Sequence, residues 1–300
     1  MPIKIPNDLP SYDYLKDKWV FVMDHKRAIT QDIRALRIWI LNLMPKKEDT
    51  ENQLLRMIWS SPLQIEAFFI KTSTYKPKNT KESHLKKFYK TFDEAIKIWL
   101  DGLIITWAPV EKMEFEDVKY LEELKYIMNT AKEKITSTLF LCWAAQAWLY
   151  HFYDIKKYEE SKKIFWIFKH THTNKNLNLL RWLDDEFYVP HSRHTWIKKE
   201  DIKKHKDLQI LSESKEAWVY MIASKDAKFV FITWHPEYDR DTLAKEYFRD
   251  LEKWENIQIP VNYFPWNDPK NTPKLIWRAN AEMFYRNWIN YVYQTTPYIL

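Results

Sequence analysis

The stretch Thr-Ser-Thr-Leu-Phe-Leu-Cys-Trp-Ala-Ala-Gln-Ala (136–147) places a cysteine between a short apolar run and a segment of helix-forming composition. Such a run, followed directly by a helix, is typical of a strand that is buried in a parallel sheet. A nucleophile on this kind of sharp turn is exposed at the top of the sheet, where the backbone N–H groups after it can form an oxyanion hole. The stretch therefore predicts a strand, a helix and a reactive Cys142 between them.

The same alternation of strand-length apolar runs and amphipathic segments continues on both sides of this stretch. We predict strands over 37–44, 63–70, 102–106 and 228–233, and helices over 49–59, 115–134 and from about 241. Thr50 and Gln53 are spaced as a capping box at the start of the first helix. This order predicts an α/β fold of three layers, in which helices cover both faces of a parallel sheet.

Three residues with site-forming potential each follow a predicted strand: Trp107, Cys142 and His235. Ligands of open parallel sheets bind at the carboxyl ends of the strands, so these residues are expected around one crevice. In the sequence His-Pro-Glu (235–237), His235 can act as a general base, and Glu237 can orient its ring. The three side chains then predict a Cys–His–Glu triad.

Length and composition limit the class of protein. We expect one domain over 1–300, with an N-terminal extension over about 1–34 and a C-terminal excursion over about 256–300. The excess of 47 basic over 41 acidic residues is too small to predict a nucleic-acid partner. A single cysteine favours a reducing compartment. With no apolar leader and no apolar run long enough to span a bilayer, the sequence predicts a cytoplasmic protein without a membrane partner.

Two histidine pairs and one lysine-rich segment offer other chemistry. His-Thr-His (170–172) and His-Ser-Arg-His (191–194) could supply metal ligands, but no cysteine or acidic spacing completes a zinc pattern, and we predict no metal. The segment 76–90 could meet phosphates, although a solvated helix face is the more ordinary interpretation of its lysines.

The content of glycine and tryptophan is anomalous. The chain has one glycine, where ordinary usage gives about 20, and sixteen tryptophans. Trp107, Trp182 and Trp234 lie where glycine would be expected. We hypothesise that many of these tryptophans are glycines in the living protein, encoded by a UGA codon that the cell reads as glycine. The alternative is a protein that is truly poor in glycine and rich in tryptophan.

Six segments carry a resemblance that runs from end to end. The chain resembles the homoserine O-acyltransferases of methionine biosynthesis, which are built on a class I glutamine-amidotransferase-like (flavodoxin-like) α/β fold. The segments are Ile-Leu-Asn-Leu-Met-Pro-Lys-Lys (40–47), Asp-Gly-Leu-Ile-Ile-Thr-Trp-Ala-Pro-Val-Glu (101–111), 136–147, Asp-Asp-Glu-Phe-Tyr-Val-Pro-His-Ser-Arg-His (184–194), His-Pro-Glu-Tyr-Asp (235–239) and Asn-Trp-Ile-Asn-Tyr-Val-Tyr-Gln (287–294).

The resemblance implies a role for each matching position. It implies an acyl-accepting nucleophile, a general base with its partner, two substrate-binding residues and a residue that holds the homoserine carboxylate. These are, in order, Cys142, His235, Glu237, Lys163, Ser192 and Arg249. The oxyanion region is expected around Trp107 and Trp143.

The resemblance also implies the substrates. Glu111 lies where acetyl-transferring members carry glutamate and succinyl-transferring members carry glycine, which favours acetyl-CoA as co-substrate with L-homoserine. No bound cofactor is implied, and a homodimer is the family expectation. Three alternatives stay open: a succinyltransferase, an amidotransferase or hydrolase with the same triad, and an inactive binding relative if the tryptophans at glycine positions are real. Arg249 and Glu111 argue against the hydrolase.

The tryptophans depart from the family pattern selectively. The family has glycine at Trp107, Trp166, Trp182 and Trp234, and often at Trp59, Trp148, Trp218 and Trp254. Three tryptophans match family tryptophans, namely Trp143, Trp277 and Trp288. The sequence does not indicate whether the remaining five positions are tryptophan or glycine in the living protein: Trp19, Trp39, Trp99, Trp196 and Trp266. A reassigned codon predicts a selective pattern of this kind.

Overall fold

The computed structural model describes residues 3–17, 22–23, 35–77, 79–173, 177–253 and 257–297. Half of the predicted extension over 1–34, with Trp19, lies outside the described residues, as does Trp254. The helices are α1 (Pro10–Asp17), α2 (Lys47–Ile58), α3 (Glu82–Phe88), α4 (Phe92–Ile96), α5 (Leu121–Lys134), α6 (Trp143–Tyr153), α7 (Lys199–Lys203), α8 (Thr242–Glu252) and α9 (Arg278–Thr295). None of these described helices is long and apolar enough to cross a membrane.

The described strands form one twelve-stranded sheet. They are β1 (Ile3–Lys4), β2 (Val22–Met23), β3 (Leu36–Leu41), β4 (Ile65–Ile70), β5 (Tyr89–Lys90), β6 (Gly102–Ile105), β7 (Ser137–Leu141), β8 (Tyr158–His172), β9 (Glu186–Trp196), β10 (Leu208–Ser214), β11 (Trp218–Ser224) and β12 (Phe229–Ile232). Their order is β2-β1-β4-β3-β6-β7-β12-β11-β10-β8-β9, with β5 paired to β4.

The predicted α/β sheet with helices on both faces is confirmed, but the sheet is mixed. β1 to β7 and β12 pair in parallel, whereas β8 to β11 add an antiparallel arm beyond β12. The predicted strands do not include β8 to β11. The first half of β8, Tyr-Glu-Glu-Ser-Lys-Lys (158–163), is too charged to be recognised as a buried strand.

The centre of the sheet consists of β6, β7 and β12, in which every residue is buried. Strands covered on both faces are expected to be continuous apolar runs, and this is why the sequence located them. β7 lies between the other two, with Leu141 paired to Ile232 and Phe140 to Ile105. This register brings the carboxyl ends of the three strands to one edge.

The start of α2 differs from the prediction. The helix begins at Lys47, and Lys46 at its N-cap makes no side-chain capping bond among the described residues. The predicted capping box is therefore wrong, because Thr50 and Gln53 both lie inside the helix. The Gln53 amide instead donates to the Thr242 hydroxyl at 3.1 Å, which ties α2 to the start of α8.

The predicted helix over 115–134 is also shorter than expected. A 3₁₀ turn covers Phe115–Asp117, the chain is extended at Val118, and α5 begins at Leu121. The apolar periodicity continues upstream of the helix because Phe115 and Val118 are buried without being helical.

The segment 256–300, predicted as an excursion, is only partly peripheral. Its second half forms α9, which packs into the core through Trp288 and is preceded by the buried N-cap residue Trp277. The Trp288 indole N–H donates to the Ser137 hydroxyl at the start of β7, at 3.0 Å. The cluster of Pro and Asn before α9 concealed this return to the core.

Gly102 opens β6 at a point where α9 approaches the sheet. A Cβ atom at this position would lie 3.0 Å from the Ile38 Cδ1 atom and 3.2 Å from the Trp288 ring. Both distances are shorter than the optimal separation of about 3.5–4.0 Å between carbon atoms. The only glycine of the chain is therefore needed for close packing.

We expect Gly102→Ala to lower the free energy of unfolding by about 1 kcal/mol. Overpacking costs roughly 1–3 kcal/mol, which exceeds the roughly 0.4–1 kcal/mol gained by restricting the unfolded chain. Ile38→Val removes the nearest methyl group, so the alanine should cost less in that background. Denaturant unfolding of the two single variants and the double variant measures this coupling. An alanine variant more stable than the parent would contradict the packing argument.

Candidate active site

Cys142 occupies a strained turn between β7 and α6. Its backbone angles are φ 50° and ψ −113°, a region that residues with a Cβ atom rarely adopt. The Cys142 N–H donates to the Ile232 carbonyl of β12 at 2.6 Å, which fixes the turn against the neighbouring strand. Strain of this kind is concentrated at functional sites and persists only where the surroundings impose it.

His235 and Glu237 follow β12 and complete the predicted constellation. The His235 Nδ1 atom lies 2.8 Å from a carboxylate oxygen of Glu237, and the ring is also hydrogen bonded to the Cys142 side chain. All three residues are buried, with relative exposures of 6% for Cys142, 1% for His235 and 0% for Glu237. The structure thus brings the three predicted side chains together as a hydrogen-bonded row.

The electrostatics of this row favour a charged imidazole. Burial alone lowers the pKa of His235, but the Cys142 sulfur and the Glu237 carboxylate raise it from 6.5 to about 10. The ring is therefore protonated at neutral pH. An imidazolium beside the sulfur stabilises the thiolate, which is the nucleophilic form of cysteine.

Aromatic rings hold the imidazole in place. The Tyr238 ring stacks on His235 at 4.3 Å between centroids, and the Trp107 indole meets it edge-on at 4.6 Å. Behind the row, Arg56 donates to the Glu237 carbonyl at 2.8 Å and forms an ion pair with Asp239. The loop after β12 is thereby fixed to α2.

A cleft of about 1290 Å³ opens over Cys142 and His235. All the other predicted site residues except Glu237, which lies beneath His235, line the same cleft: Trp107, Glu111, Trp143, Lys163, Ser192 and Arg249. The volume is sufficient for a large co-substrate together with a small one.

An irregularity in the antiparallel arm places Lys163 and Ser192 in the cleft. The pairing of β8 with β9 shifts between Glu159 and Ile164, so 160–163 bulge out of the ladder. Bulges beside functional sites redirect side chains, and here the bulge carries Lys163 to the wall of the cleft. Ser192 reaches the same wall from β9.

Sequence reasoning missed the carboxylate that joins these two residues. Glu246 of α8 accepts hydrogen bonds from Lys163 at 3.1 Å, from Ser192, and from the Tyr238 hydroxyl at 3.0 Å. Asp250, one turn later, accepts from Lys163 at 3.0 Å and from Arg249 at 2.6 Å. The spacing of 246, 249 and 250 on one helix face was the available signal.

Glu111 lines the cleft from the loop after β6. One of its carboxylate oxygens accepts the His194 backbone N–H at 2.9 Å. This bond fixes a negative charge at the wall of the cleft.

The other histidines are packed within the arm. His170 and His191 are fully buried, with ring centroids 5.0 Å apart, and burial lowers the pKa of His170 from 6.5 to about 3. Within the described ranges, no group of three or more His, Cys, Asp or Glu side chains is arranged to hold a metal ion.

The lysine-rich segment 76–90 forms its ion pairs on the solvent-exposed surface. Lys76 and Lys86 both form exposed ion pairs with Glu82, at 2.7 and 2.9 Å. These lysines do not line the cleft. The arrangement fits a solvated helix face.

Comparisons with known proteins extend these observations. The profile of the family described as homoserine O-succinyltransferase matches residues 2–298. A homoserine O-acetyltransferase of Clostridium botulinum (strain Eklund 17B / Type B) is 54% identical over 299 residues, covering 99% of this chain and 98% of that protein. Homoserine O-acetyltransferase 1 of Ilyobacter polytropus is 52% identical over 301 residues, covering 100% of both chains.

Solved structures share the fold at low sequence identity. A glutamine amidotransferase from Thermotoga maritima has a TM-score of 0.55 and 13% identity, covering 87% of this chain and 99% of that one. A glutamine amido transferase from Methylobacillus flagellatus has a TM-score of 0.53 and 10% identity, covering 87% of this chain and 96% of that one. The predicted class I glutamine-amidotransferase-like fold is thereby confirmed.

The resemblance read from the six sequence segments is confirmed by this profile and by these relatives. The profile leaves only a few terminal residues unmatched, and the relatives exceed half identity over the full length. This chain belongs to the homoserine O-succinyltransferase family.

Proposed function

We propose that this protein is a cytoplasmic homoserine O-acetyltransferase of methionine biosynthesis, which transfers an acetyl group from acetyl-CoA to L-homoserine through acetyl-Cys142. The observation that carries this proposal is the hydrogen-bonded row of Cys142, His235 and Glu237 at the base of a large cleft. Relatives more than half identical bear the name homoserine O-acetyltransferase, which supports the choice of reaction. Acetyl-CoA serves as co-substrate, and the chemistry needs no resident cofactor.

The first half-reaction starts from the protonated His235. The Cys142 thiolate attacks the thioester carbonyl, a carbon–sulfur bond forms, and the carbonyl oxygen becomes an oxyanion. Collapse of this intermediate re-forms the carbonyl and breaks the bond to the CoA sulfur. The departing thiolate takes the proton of the His235 imidazolium, which leaves acetyl-Cys142, CoA and a neutral imidazole.

The oxyanion is stabilised at the start of α6. The first N–H groups of a helix have no partner within it, and Trp143 is the first residue of α6. Its N–H follows the nucleophile directly, as an oxyanion hole on a strand-to-helix turn requires. The loop at Trp107 supplies the opposite wall. Loss of one such donor costs on the order of 10²–10³ in rate.

The second half-reaction uses the neutral His235 as the general base. The imidazole accepts the proton of the homoserine hydroxyl, whose oxygen attacks the acetyl carbonyl of Cys142. Collapse of the second oxyanion expels the Cys142 thiolate and releases O-acetylhomoserine. Glu237 holds the ring through Nδ1, so that the proton moves at the other nitrogen.

Homoserine is a zwitterion, and α8 offers partners for both of its charges. Arg249 attracts the carboxylate, while Glu246, one turn earlier on the same face, attracts the ammonium group. Lys163 and Ser192 already bond to Glu246 and keep its carboxylate directed into the cleft. Holding both charges presents the hydroxyl at Cys142 in preference to water.

Glu111 selects the acyl donor by charge. A succinyl group ends in a carboxylate, whereas an acetyl group is neutral. The Glu111 carboxylate, which the His194 N–H holds in place, therefore repels succinyl-CoA and tolerates acetyl-CoA.

Incubation with acetyl-CoA in the absence of homoserine should add one acetyl group to the peptide that contains Cys142 and release one equivalent of CoA. Cys142→Ala should form no adduct and lose turnover by on the order of 10⁴-fold or more. Peptide mass spectrometry and CoA release measure both. Ser192→Ala is the matched control, because it should still form the adduct while using homoserine less well. Unimpaired turnover by Cys142→Ala would refute the mechanism.

Glu237→Gln should lower kcat by on the order of 10²-fold or more, because the ring loses its oriented partner. The Glu237 charge raises the pKa of His235, so its removal lowers that pKa. The imidazolium loses its proton as the pH rises through this pKa. The pH profile of the rate of Cys142 acetylation should therefore fall near pH 10 in the parent and at lower pH in Glu237→Gln. Glu246→Gln is the control whose limb should stay in place. An unmoved limb in Glu237→Gln would contradict the assignment.

Glu111→Gly should raise the ratio of kcat/KM for succinyl-CoA over acetyl-CoA by at least about tenfold, which corresponds to about 1.4 kcal/mol. The change removes the charge that repels the succinyl carboxylate. Steady-state kinetics with both donors measure the ratio. Lys112→Gly makes the same backbone change one residue later and should leave the preference for acetyl-CoA intact. An unchanged ratio in Glu111→Gly would assign donor choice to other residues.

A further inference from the structure

Four tryptophans have left-handed backbone conformations. Their φ angles are 78° at Trp99, 63° at Trp182, 61° at Trp218 and 55° at Trp266. A positive φ is uncommon for any residue with a Cβ atom, and for a bulky residue it is a genuine outlier. Glycine alone adopts this region without steric cost. The backbone at these four positions therefore favours glycine over tryptophan.

Two of the four lie in turns that require glycine. In the turn from Leu180 to Leu183, the Leu183 N–H donates to the Leu180 carbonyl at 3.2 Å, and Arg181 has φ −58° and ψ 126°. These are the angles of the first central residue of a type II turn, and Trp182 is the second. That second position takes φ > 0, hence glycine.

The turn from Phe264 to Asn267 repeats this arrangement. The Asn267 N–H donates to the Phe264 carbonyl at 3.1 Å, Pro265 is the first central residue, and Trp266 is the second with φ 55° and ψ 20°. Pro followed by Gly is the usual pair at the centre of a type II turn.

The other two positions also reverse the chain. Trp218 opens β11 opposite Ser214, directly after a three-residue hairpin loop. Its φ of 61° at the first residue of the strand is one that glycine adopts without steric cost. Trp99 turns the chain between α4 and β6, where a residue with φ 78° follows the helix end.

Packing does not explain the indoles at 99, 182 and 266, whereas the half-buried Trp218 stacks on Trp196 at 4.7 Å between centroids. Trp99, Trp182 and Trp266 are 51%, 72% and 90% exposed, which is unusual for the largest apolar side chain. By contrast, the buried residues Trp277 and Trp288 lie outside the left-handed region, and their indole N–H groups donate to Tyr238 and Ser137, each at 3.0 Å. Trp277 and Trp288 therefore differ from the three exposed tryptophans in both backbone conformation and packing.

We propose that residues 99, 182, 218 and 266 are glycine in the protein that the source cell makes, because that cell inserts glycine at UGA codons. Translating those UGA codons as tryptophan produces a sequence with few glycines and many tryptophans, as in this chain with its single glycine and sixteen tryptophans. The backbone extends the assignment to 99 and 266, where the sequence pattern does not distinguish glycine from tryptophan. This inference does not rest on the proposed activity.

Position 234 supports the same assignment through its side chain. The guanidinium carbon of Arg193 lies 2.7 Å from the centre of the Trp234 indole, well inside the optimal carbon separation of about 3.5–4.0 Å. The His191 ring stacks on the same indole at 3.7 Å between centroids, and the buried indole N–H has no partner among the described residues. Glycine at this position leaves room for both neighbours.

Peptide mass spectrometry of the protein purified from its source cells tests the proposal directly. Peptides that contain positions 99, 182, 218 and 266 should carry glycine, whereas those with 277 and 288 should carry tryptophan. The corresponding codons should be UGA and UGG. Tryptophan in the peptides of 99 and 266, or UGG at those codons, would overturn the assignment.

A recombinant comparison tests the physical argument separately. Replacing the four left-handed tryptophans by glycine should raise Tm by on the order of 10 °C, because each change removes a steric conflict of the backbone. The control replaces Trp277 and Trp288 by glycine and should lower Tm. A fall in Tm for the fourfold variant would contradict the proposal. If the parent chain or the fourfold variant fails to fold, the peptides from the source cells decide the question.

Discussion

The hydrogen bond from the Cys142 N–H to the Ile232 carbonyl is the constraint on which the site depends. It joins the last residue of β12 to the first residue beyond β7, and so holds the nucleophile in its left-handed turn. Because His235 follows β12 by a few residues, the same bond sets the separation of sulfur and imidazole. The two loops consequently form one rigid unit, and the strain at Cys142 is maintained by the paired strands rather than by the loop itself.

The parallel core and the antiparallel arm have separate tasks around this unit. The core presents strand ends, which explains why the triad can be assembled from residues nearly a hundred positions apart. The arm and α8 supply the polar wall, where Glu246 receives hydrogen bonds from Lys163 and Ser192. The reactive residues of the core and the polar residues of the wall line one cleft. Substitutions in the wall should therefore alter the use of substrates and leave the nucleophile in place.

The sequence predicted the core well because its strands are fully buried, and buried parallel strands are continuous apolar runs. It could not predict β8, whose charged half lies at a bulge, or the role of Glu246, whose partners Lys163 and Ser192 come from two distant strands. The capping box at Thr50 failed because the spacing pattern does not reveal where the helix begins, and α2 already begins at Lys47. The turn geometry at Trp182 and Trp266 could not be predicted, because nothing in the sequence indicates that a bulky residue has a positive φ angle.

The central claim is that His235 is an imidazolium, held by Glu237 and directed at Cys142. A titration of the His235 ring by nitrogen NMR, assigned with a His235→Gln variant, tests it most directly. The account predicts a protonated ring at neutral pH that loses its proton near pH 10, in accordance with the pKa of about 10 set by its two partners. A ring that titrates near the ordinary histidine pKa of about 6.5 would contradict it.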